Sequence, residues 1–392
     1  MAHIHWLGAG LASVPGIRRL ITQGHSLTLW ERDVPKALEA VEGLSGNYAI
    51  KEALDGALEA DIEAGDVIVS MLPAAFHPTI AKMCLSKKAH FVSSSYISPD
   101  MNALSDEATR QGLCFVNEVG LDPGLDHLFA HLLMQDYQES PVFDKQNDHD
   151  FRSYCGGFPA VANDFKYKFS WSPLGVLKAL ASPAKALLKG EVAEVQRPWD
   201  AVEDYVVHSA QGSEIFQSYP NRDSLPFMAE YGFEKDWNVS QFVRGTLRLN
   251  GWAEAWADVF EAVSNANKPE GEAELAKLSD RLWADHAYEP HEADRVVLSV
   301  ELKVTRDGKV IWHQSKLLDS FGNAEDSAMG RLVSIPVSLA TEAVLDGKLS
   351  SGVQPAPHDR SLILPWLEEL ARHEDHVQHI DHLNMAGSLA AE

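Results

Sequence analysis

The N-terminal part of the chain alternates short apolar runs with segments of helical period. His3–Leu7 reads as a strand, a helical pattern runs to about Gln23, and Ser26–Trp30 reads as a second strand. Asp66–Leu72, Ala89–Ser93 and Cys114–Asn117 repeat the theme, with helical stretches over Phe76–Leu85 and Asp100–Arg110 between them. This pattern predicts an α/β fold, a Rossmann-type parallel sheet over residues 1–125.

Past His131 the pattern changes to longer β-rich stretches with interposed helices. Phe151–Cys155 reads as a strand, and the segment Phe169–Pro173 opens a helix to about Lys189. Asp204–Ser218 is strand-like, Tyr219–Ser224 is a loop, and a helical region spans roughly Trp252–Ala284. Val296–Thr305 and Val310–Leu317 form a hairpin around Asp307-Gly308. Because Met329–Leu345 returns to helical period, the α+β substrate or dimerisation domain (residues 126–325) is inserted, and residues 326–392 return to the Rossmann domain.

Composition narrows the class. A chain of 392 residues, 45% hydrophobic and 23% charged, can build two good cores. No apolar run of about 18 residues is evident, so no membrane partner is expected. The N-terminus enters a strand without a basic or apolar leader, and three cysteines form neither metal spacing nor a disulfide framework. The expectation is a cytoplasmic protein without a metal site. A formal charge of −24 argues against nucleic acid and leaves an acidic ligand to be collected by local positive charge, which makes clustered arginines informative.

The candidate chemistry starts at Gly8-Ala9-Gly10-Leu11-Ala12-Ser13, between a strand and a helix, the context of a dinucleotide fingerprint. Gly8 permits the tight turn, Gly10 lets the backbone approach a pyrophosphate, and Ser13 stands where a third glycine is usual, small enough for close packing. The next strand ends in Glu31-Arg32. A carboxylate there binds ribose hydroxyls and favours NAD, whereas an arginine pairs with the 2′-phosphate of NADP; the residues alone leave both open. The loops at Met71-Leu72-Pro73, Ser94–Tyr96 and Gly120–Gly124 belong at one crevice beyond the strand ends. There Ser95 and Tyr96 can donate hydrogen bonds, and Asp122 can accept a proton or hold an amine. Asp122 lies in the turn NEVGLDPGLDH (117–127), where Pro123 fixes one φ and two glycines free the backbone. Arg222, Arg244 and Arg248 read as loop or strand-edge residues able to grip carboxylates, and Cys155 reads as a small buried residue.

Taken together, GAGLASVP, SYISP, NEVGLDPGLDH, SYCGGFP, YKFSWSP, YPNRDS, VRGTLR and the closing IPVSLATEAVLDGKLSSGV resemble the saccharopine dehydrogenase family, in its L-glutamate-forming branch. The resemblance implies NADP-linked oxidation of a secondary amine bearing three carboxylates, and a homodimer. It places Ser95, Tyr96, Asp122, Cys155, Arg222, Thr246, Leu247 and Arg248 on the substrate, with Asp122 and Tyr96 as candidates for proton transfer. It places the glycine loop, Glu31, Arg32, Met71–Pro73, Leu121, Asp122 and Pro123 on the cofactor, with Arg32 on the phosphate. The chain departs from the family pattern at Glu31, usually uncharged, at Leu174, where an arginine is common, and between Phe158 and Tyr167, which lacks an asparagine-proline-leucine-glycine run. Those departures leave room for another carboxylated amine of polyamine type; a non-catalytic dinucleotide-binding sensor is a separate second reading.

Overall fold

The computed structural model describes residues 2–54, 56–170, 172–265, 271–289 and 291–384; Trp171 and the gap within the expected 252–284 helical region lie outside them. Its strands are β1 (Ile4–Leu7), β2 (Leu27–Glu31), β3 (Tyr48–Glu52), β4 (Val67–Ser70), β5 (His90–Val92), β6 (Cys114–Val116), β7 (Asp148–Pro159), β8 (Ala184–Leu188), β9 (Glu191–Val195), β10 (Glu203–Ser209), β11 (Gly212–Pro220), β12 (Val239–Leu249), β13 (Asp294–Arg306), β14 (Lys309–Phe321), β15 (Gly352–Gln354) and β16 (Val377–Asp381). The chain forms two compact units, residues 1–128 with 329–373, and residues 129–328 with 374–392.

The first unit is a seven-stranded sheet in the order β15-β6-β5-β4-β1-β2-β3, parallel throughout. Order reverses between β1 and β4, so the loops after Leu7 and Ser70 flank the switch point where such sheets bind ligands. The inner strands β1, β2, β4, β5 and β6 are buried at nearly every position because both faces are covered: Trp6, Ile68, Phe91 and Phe115 are fully or almost fully buried. The segment Ala328–Leu345 is helical, long and apolar enough to cross a membrane, although no apolar run of that length stands out in the sequence; most of it is buried within the protein. Arg19 pins this returning segment, donating to Glu342 Oε2 (2.8 Å) and Glu369 Oε1 (2.8 Å).

The second unit is a mixed sheet, β10-β11-β12-β7-β13-β14-β16, with β8 and β9 attached through β12. Its core gathers Tyr154, Phe158, Phe216, Val243, Leu247, Val297 and Leu317, and a helical cluster packs around Trp252 and Trp256. Three expectations change here. The helix after Ser172 ends at Leu180, because Pro183 stops it, and a β8–β9 hairpin turns through Lys189 (φ 54°) and Gly190 (φ 79°). Asp204–Ser218 breaks at Ala210-Gln211 into the β10–β11 hairpin. The return to the Rossmann unit ends at His373, since β16 pairs with β14 in the second sheet.

Gly245, in β12, sits where an added Cβ would lie 2.3 Å from Tyr219 O and 2.6 Å from the Tyr154 ring. Gly245→Ala is expected to cost about 1–3 kcal/mol, read as a lower urea midpoint at unchanged m.

Candidate active site

In the first unit, the candidate cofactor side starts at the turn after β1. Gly8 has φ +94° and donates its N–H to Trp30 O (2.9 Å), and a Cβ built on Gly10 meets nothing within 4 Å. The turn therefore presents open backbone just before the helix Val14–Thr22. Leu11 is exposed, Ala9 and Ser13 are buried, and Ser13 N–H closes the turn onto Gly10 O (3.0 Å). The close approach expected at Ser13 falls instead at Gly16, where a Cβ would stand 2.3 Å from Ser334 O.

Glu31 and Arg32 no longer compete. Glu31 Oε2 accepts the N–H of Ala9 (2.8 Å), while Oε1 accepts those of Arg32 (2.7 Å) and Asp33 (3.2 Å). Burial opposes the charge, but these backbone donors outweigh it and hold the carboxyl below its usual range. Glu31 is thus a brace between the glycine turn and the end of β2. Arg32 is exposed, and no described residue forms an ion pair with it. A free guanidinium beside an open glycine turn fits a dinucleotide carrying a 2′-phosphate.

Neighbouring strand ends complete the cofactor side of this unit. Met71 N–H donates to Leu7 O (3.0 Å), and Leu72 Cδ2 would lie 3.4 Å from a Cβ on Gly8. Pro73 is exposed beyond them. His77, which sequence reasoning passed over, bonds Leu72 O (3.0 Å) and Ser93 Oγ (3.2 Å), tying the β4 and β5 loops together; burial lowers its pKa and keeps it neutral. Ser95 N–H donates to Ser93 Oγ (3.1 Å). The Tyr96 hydroxyl donates to Asp122 Oδ1 at 2.9 Å, so the two residues proposed for proton transfer are joined. Leu121 and Pro123 are buried and Asp122 is half-buried.

Beneath them lies a second layer. Glu118, at φ 57°, accepts Ile97 N–H (2.8 Å) and faces His127 Nε2 (3.1 Å), and Asp126 Oδ1 accepts Gly124 N–H (2.7 Å). All three side chains are buried. Their role is to hold the turn that carries Asp122.

The second unit holds the arginines, by itself. On β12, Arg244, Thr246 and Arg248 share one face and Leu247 turns the other way into the core, so only its backbone reaches the arginine face: Arg248 Nη1 donates to Leu247 O (3.3 Å). Both arginines are buried inside a strand, not at an edge; the aromatic residues contributed by distant segments provide their surroundings. Arg244 Cζ stacks 3.9 Å from the Phe227 ring centroid. Arg248 Cζ lies 4.9 Å from Tyr167, 5.3 Å from Trp252 and 5.6 Å from Tyr219. Its Nε has no hydrogen-bond partner, and among the described residues no carboxylate pairs with it. Tyr219, Thr246 and Cys155 are register partners across β11, β12 and β7, which brings Cys155 beside the arginine face. Arg222 is exposed on the loop after β11, with φ 57°. Leu174 packs against the helical apolar cluster.

Comparison with known proteins gives matches along nearly all of the chain. Residues 4–116 match the saccharopine dehydrogenase NADP binding domain and residues 120–375 the saccharopine dehydrogenase C-terminal domain. The chain is similar to saccharopine dehydrogenase [NADP(+), L-glutamate-forming] of Pyricularia oryzae, at 29% identity over 93% of this chain and 95% of that one. It is similar to the mitochondrial alpha-aminoadipic semialdehyde synthase of Mus musculus at 26% identity, over 93% of this chain and 46% of that one. Among solved structures, apo saccharopine dehydrogenase (L-Glu forming) from Saccharomyces cerevisiae superposes with a TM-score of 0.79 at 26% identity, over 97% of this chain and 99% of that one. Homospermidine synthase from Legionella pneumophila (TM-score 0.61, 11% identity, 97% and 91% coverage) shares the fold.

Arg32→Ala is expected to weaken NADPH binding about 10–100-fold, the worth of charge-assisted hydrogen bonds, and to leave NADH binding nearly unchanged, as read by cofactor fluorescence titration. Glu31→Gln is expected to destabilise the fold at neutral pH. Because the folded pKa of Glu31 is lowered, its contribution is whole above about pH 5 and fades as pH falls below about 4. Denaturation midpoints of the two proteins should converge in acid.

Proposed function

The chain belongs to the saccharopine dehydrogenase family, and on that premise we propose that it interconverts saccharopine with L-glutamate and 2-aminoadipate 6-semialdehyde in lysine metabolism, using NADP. The observation that carries the substrate class is Arg248: a buried guanidinium, ringed by aromatic faces, with no carboxylate from the described protein beside it. A buried cation without a counter-ion costs several kcal/mol, and cation–π contacts of about 0.5–2 kcal/mol each return only part of that. A ligand carboxylate supplies the rest, and saccharopine carries three.

NADP supplies the hydride acceptor. The chain's own part is to bind, orient and move protons. Arg248 and Arg244 hold carboxylates, and Arg222 adds an exposed positive charge. Asp122, oriented by the Tyr96 hydroxyl, takes the proton from the secondary amine as its carbon is oxidised. Water then adds to the resulting imine, and the carbinolamine breaks its C–N bond to release glutamate and the aldehyde. The same groups serve the reductive condensation in reverse. A homodimer and a reducing, cytoplasmic setting belong to the same proposal; the latter is supported by Cys84, Cys114 and Cys155, buried thiols that form no disulfide among the described residues.

The test is NADPH formation on adding saccharopine, with NAD run in parallel. Turnover with a marked NADP preference is expected. A folded protein that binds NADPH but gives no turnover would overturn the substrate assignment and favour another carboxylated amine. Arg248→Met separates binding from folding: KM for saccharopine should rise at least about tenfold while the melting temperature holds or increases, since an unpaired buried charge is removed.

A further inference from the structure

Neither the cysteine spacing nor the active-site residues called for a metal, yet one cluster in the second unit has the composition of a metal site. The mixed sheet curls so that its end strands meet: Ala210 N–H, in the β10–β11 turn, donates to Gln378 Oε1 on β16 (2.9 Å). The β13–β14–β16 register sets Glu301 opposite Ser315 and continues the same face through His313 to His382, just past β16. Glu301 Oε1 lies 2.5 Å from His313 Nε2, the His313 and His382 rings stack with centroids 4.0 Å apart, and one donor atom from each of the three residues lies within 4.8 Å of the others.

We propose that Glu301, His313 and His382 bind a borderline divalent cation of the zinc class, with water completing its coordination. Two imidazoles and a carboxylate are a common ligand set for such an ion. A second observation points the same way, because the ligands already carry the outer hydrogen bonds that orient metal-binding groups. The Tyr205 hydroxyl donates to Glu301 Oε2 (2.5 Å), and Ser315 Oγ bonds His382 Nε2 (3.0 Å). His208 stands edge-on to His382, with centroids 5.2 Å apart. Ligands about 2.0–2.1 Å from a tetrahedral ion stand roughly 3.3 Å from one another, so the Glu301–His313 contact opens as the ion replaces the shared proton. The ion would join β13, β14 and the chain just beyond β16 from inside the curl, so its effect is on the seating of the C-terminal strand, apart from the arginines on β12.

His382 ends a run of histidines at every third position, His373, His376, His379 and His382, and such tracts bind metals loosely on their own. The experiment must therefore tell the built site from the tract. Full-length, chelator-stripped protein is titrated with zinc chloride by calorimetry and against a chromophoric chelator. One equivalent per chain, a raised melting temperature and a four-coordinate cobalt(II) absorption spectrum are expected. Glu301→Gln, which keeps the shape, and His382→Ala should each weaken binding at least tenfold, while His376→Ala leaves it unchanged. No stoichiometric zinc binding at micromolar concentration would overturn the proposal. So would equal losses in His376→Ala and His382→Ala, which would assign the binding to the tract.

Discussion

The turn between β6 and the helix Leu125–Gln138 closes only because two positions carry no side chain. A Cβ on Gly124 would stand 2.1 Å from Gly120 O, and one on Gly120 would stand 2.9 Å from Ser94 Cβ. The backbone doubles back within five residues, with Gly120 N–H on Pro123 O and Leu125 N–H on Gly120 O. Asp122 stands on the outside of that fold, which gives it a fixed direction without a secondary-structure element to hold it. The buried Asp126 then satisfies Gly124 N–H inside the turn, and the buried Glu118 takes Ile97 N–H from the β5 loop, groups that so tight an arrangement would otherwise strand away from water. Tyr96 reaches Asp122 because the β5 loop is tied to the same turn, Glu118 N–H donating to Ser95 O at 3.1 Å.

A different constraint governs the second unit. Guanidinium groups are expensive to bury, and β12 buries two of them four residues apart on one face. The strand alternation makes this tolerable: Val243, Leu247 and Leu249 contribute to the apolar core, while aromatic rings lie against both guanidinium groups, and those around Arg248 offer π density but no counter-charge. Had a carboxylate been placed beside Arg248, that guanidinium would be neutralised within the protein and lost to a ligand. In a chain of net charge −24 that arrangement is selective, because acidic side chains are plentiful and are kept away from Arg248.

Much of this was legible in the sequence. The glycine turn, the strand ends and the parallel sheet of the first unit follow from apolar runs and punctuation, signals confined to a few consecutive residues. The motif strings located Asp122, Tyr96 and the arginines. What was not legible depends on pairing between distant segments. No local pattern says that Tyr167, Tyr219 and Trp252 surround Arg248, or that β16 leaves the Rossmann unit to pair with β14. The β8–β9 hairpin reads as helix in the sequence because its alternation is short and its apolar content continues that of the preceding helix; only Pro183 and Lys189-Gly190 mark the change. The sequence assigned no role to His77 or to the His127 side chain, since a structural histidine and a catalytic one look alike in sequence.

The pair Glu31-Arg32 shows where residue identity stops being informative and hydrogen-bond accounting takes over. An acidic residue at that place is the usual mark of NAD, and its chemistry alone would contradict an NADP reading. A carboxylate has roughly four lone-pair positions, and Glu31 commits three of them to backbone N–H groups at 2.7–3.2 Å. Its charge is spent on stiffening the glycine turn through Ala9, not on greeting a ribose. The same bonds draw the backbone of Arg32 and Asp33 tight around the strand end, leaving the Arg32 side chain in solvent as the free charge of the pair. Cofactor choice here rests on which of two adjacent charges the main chain has already occupied.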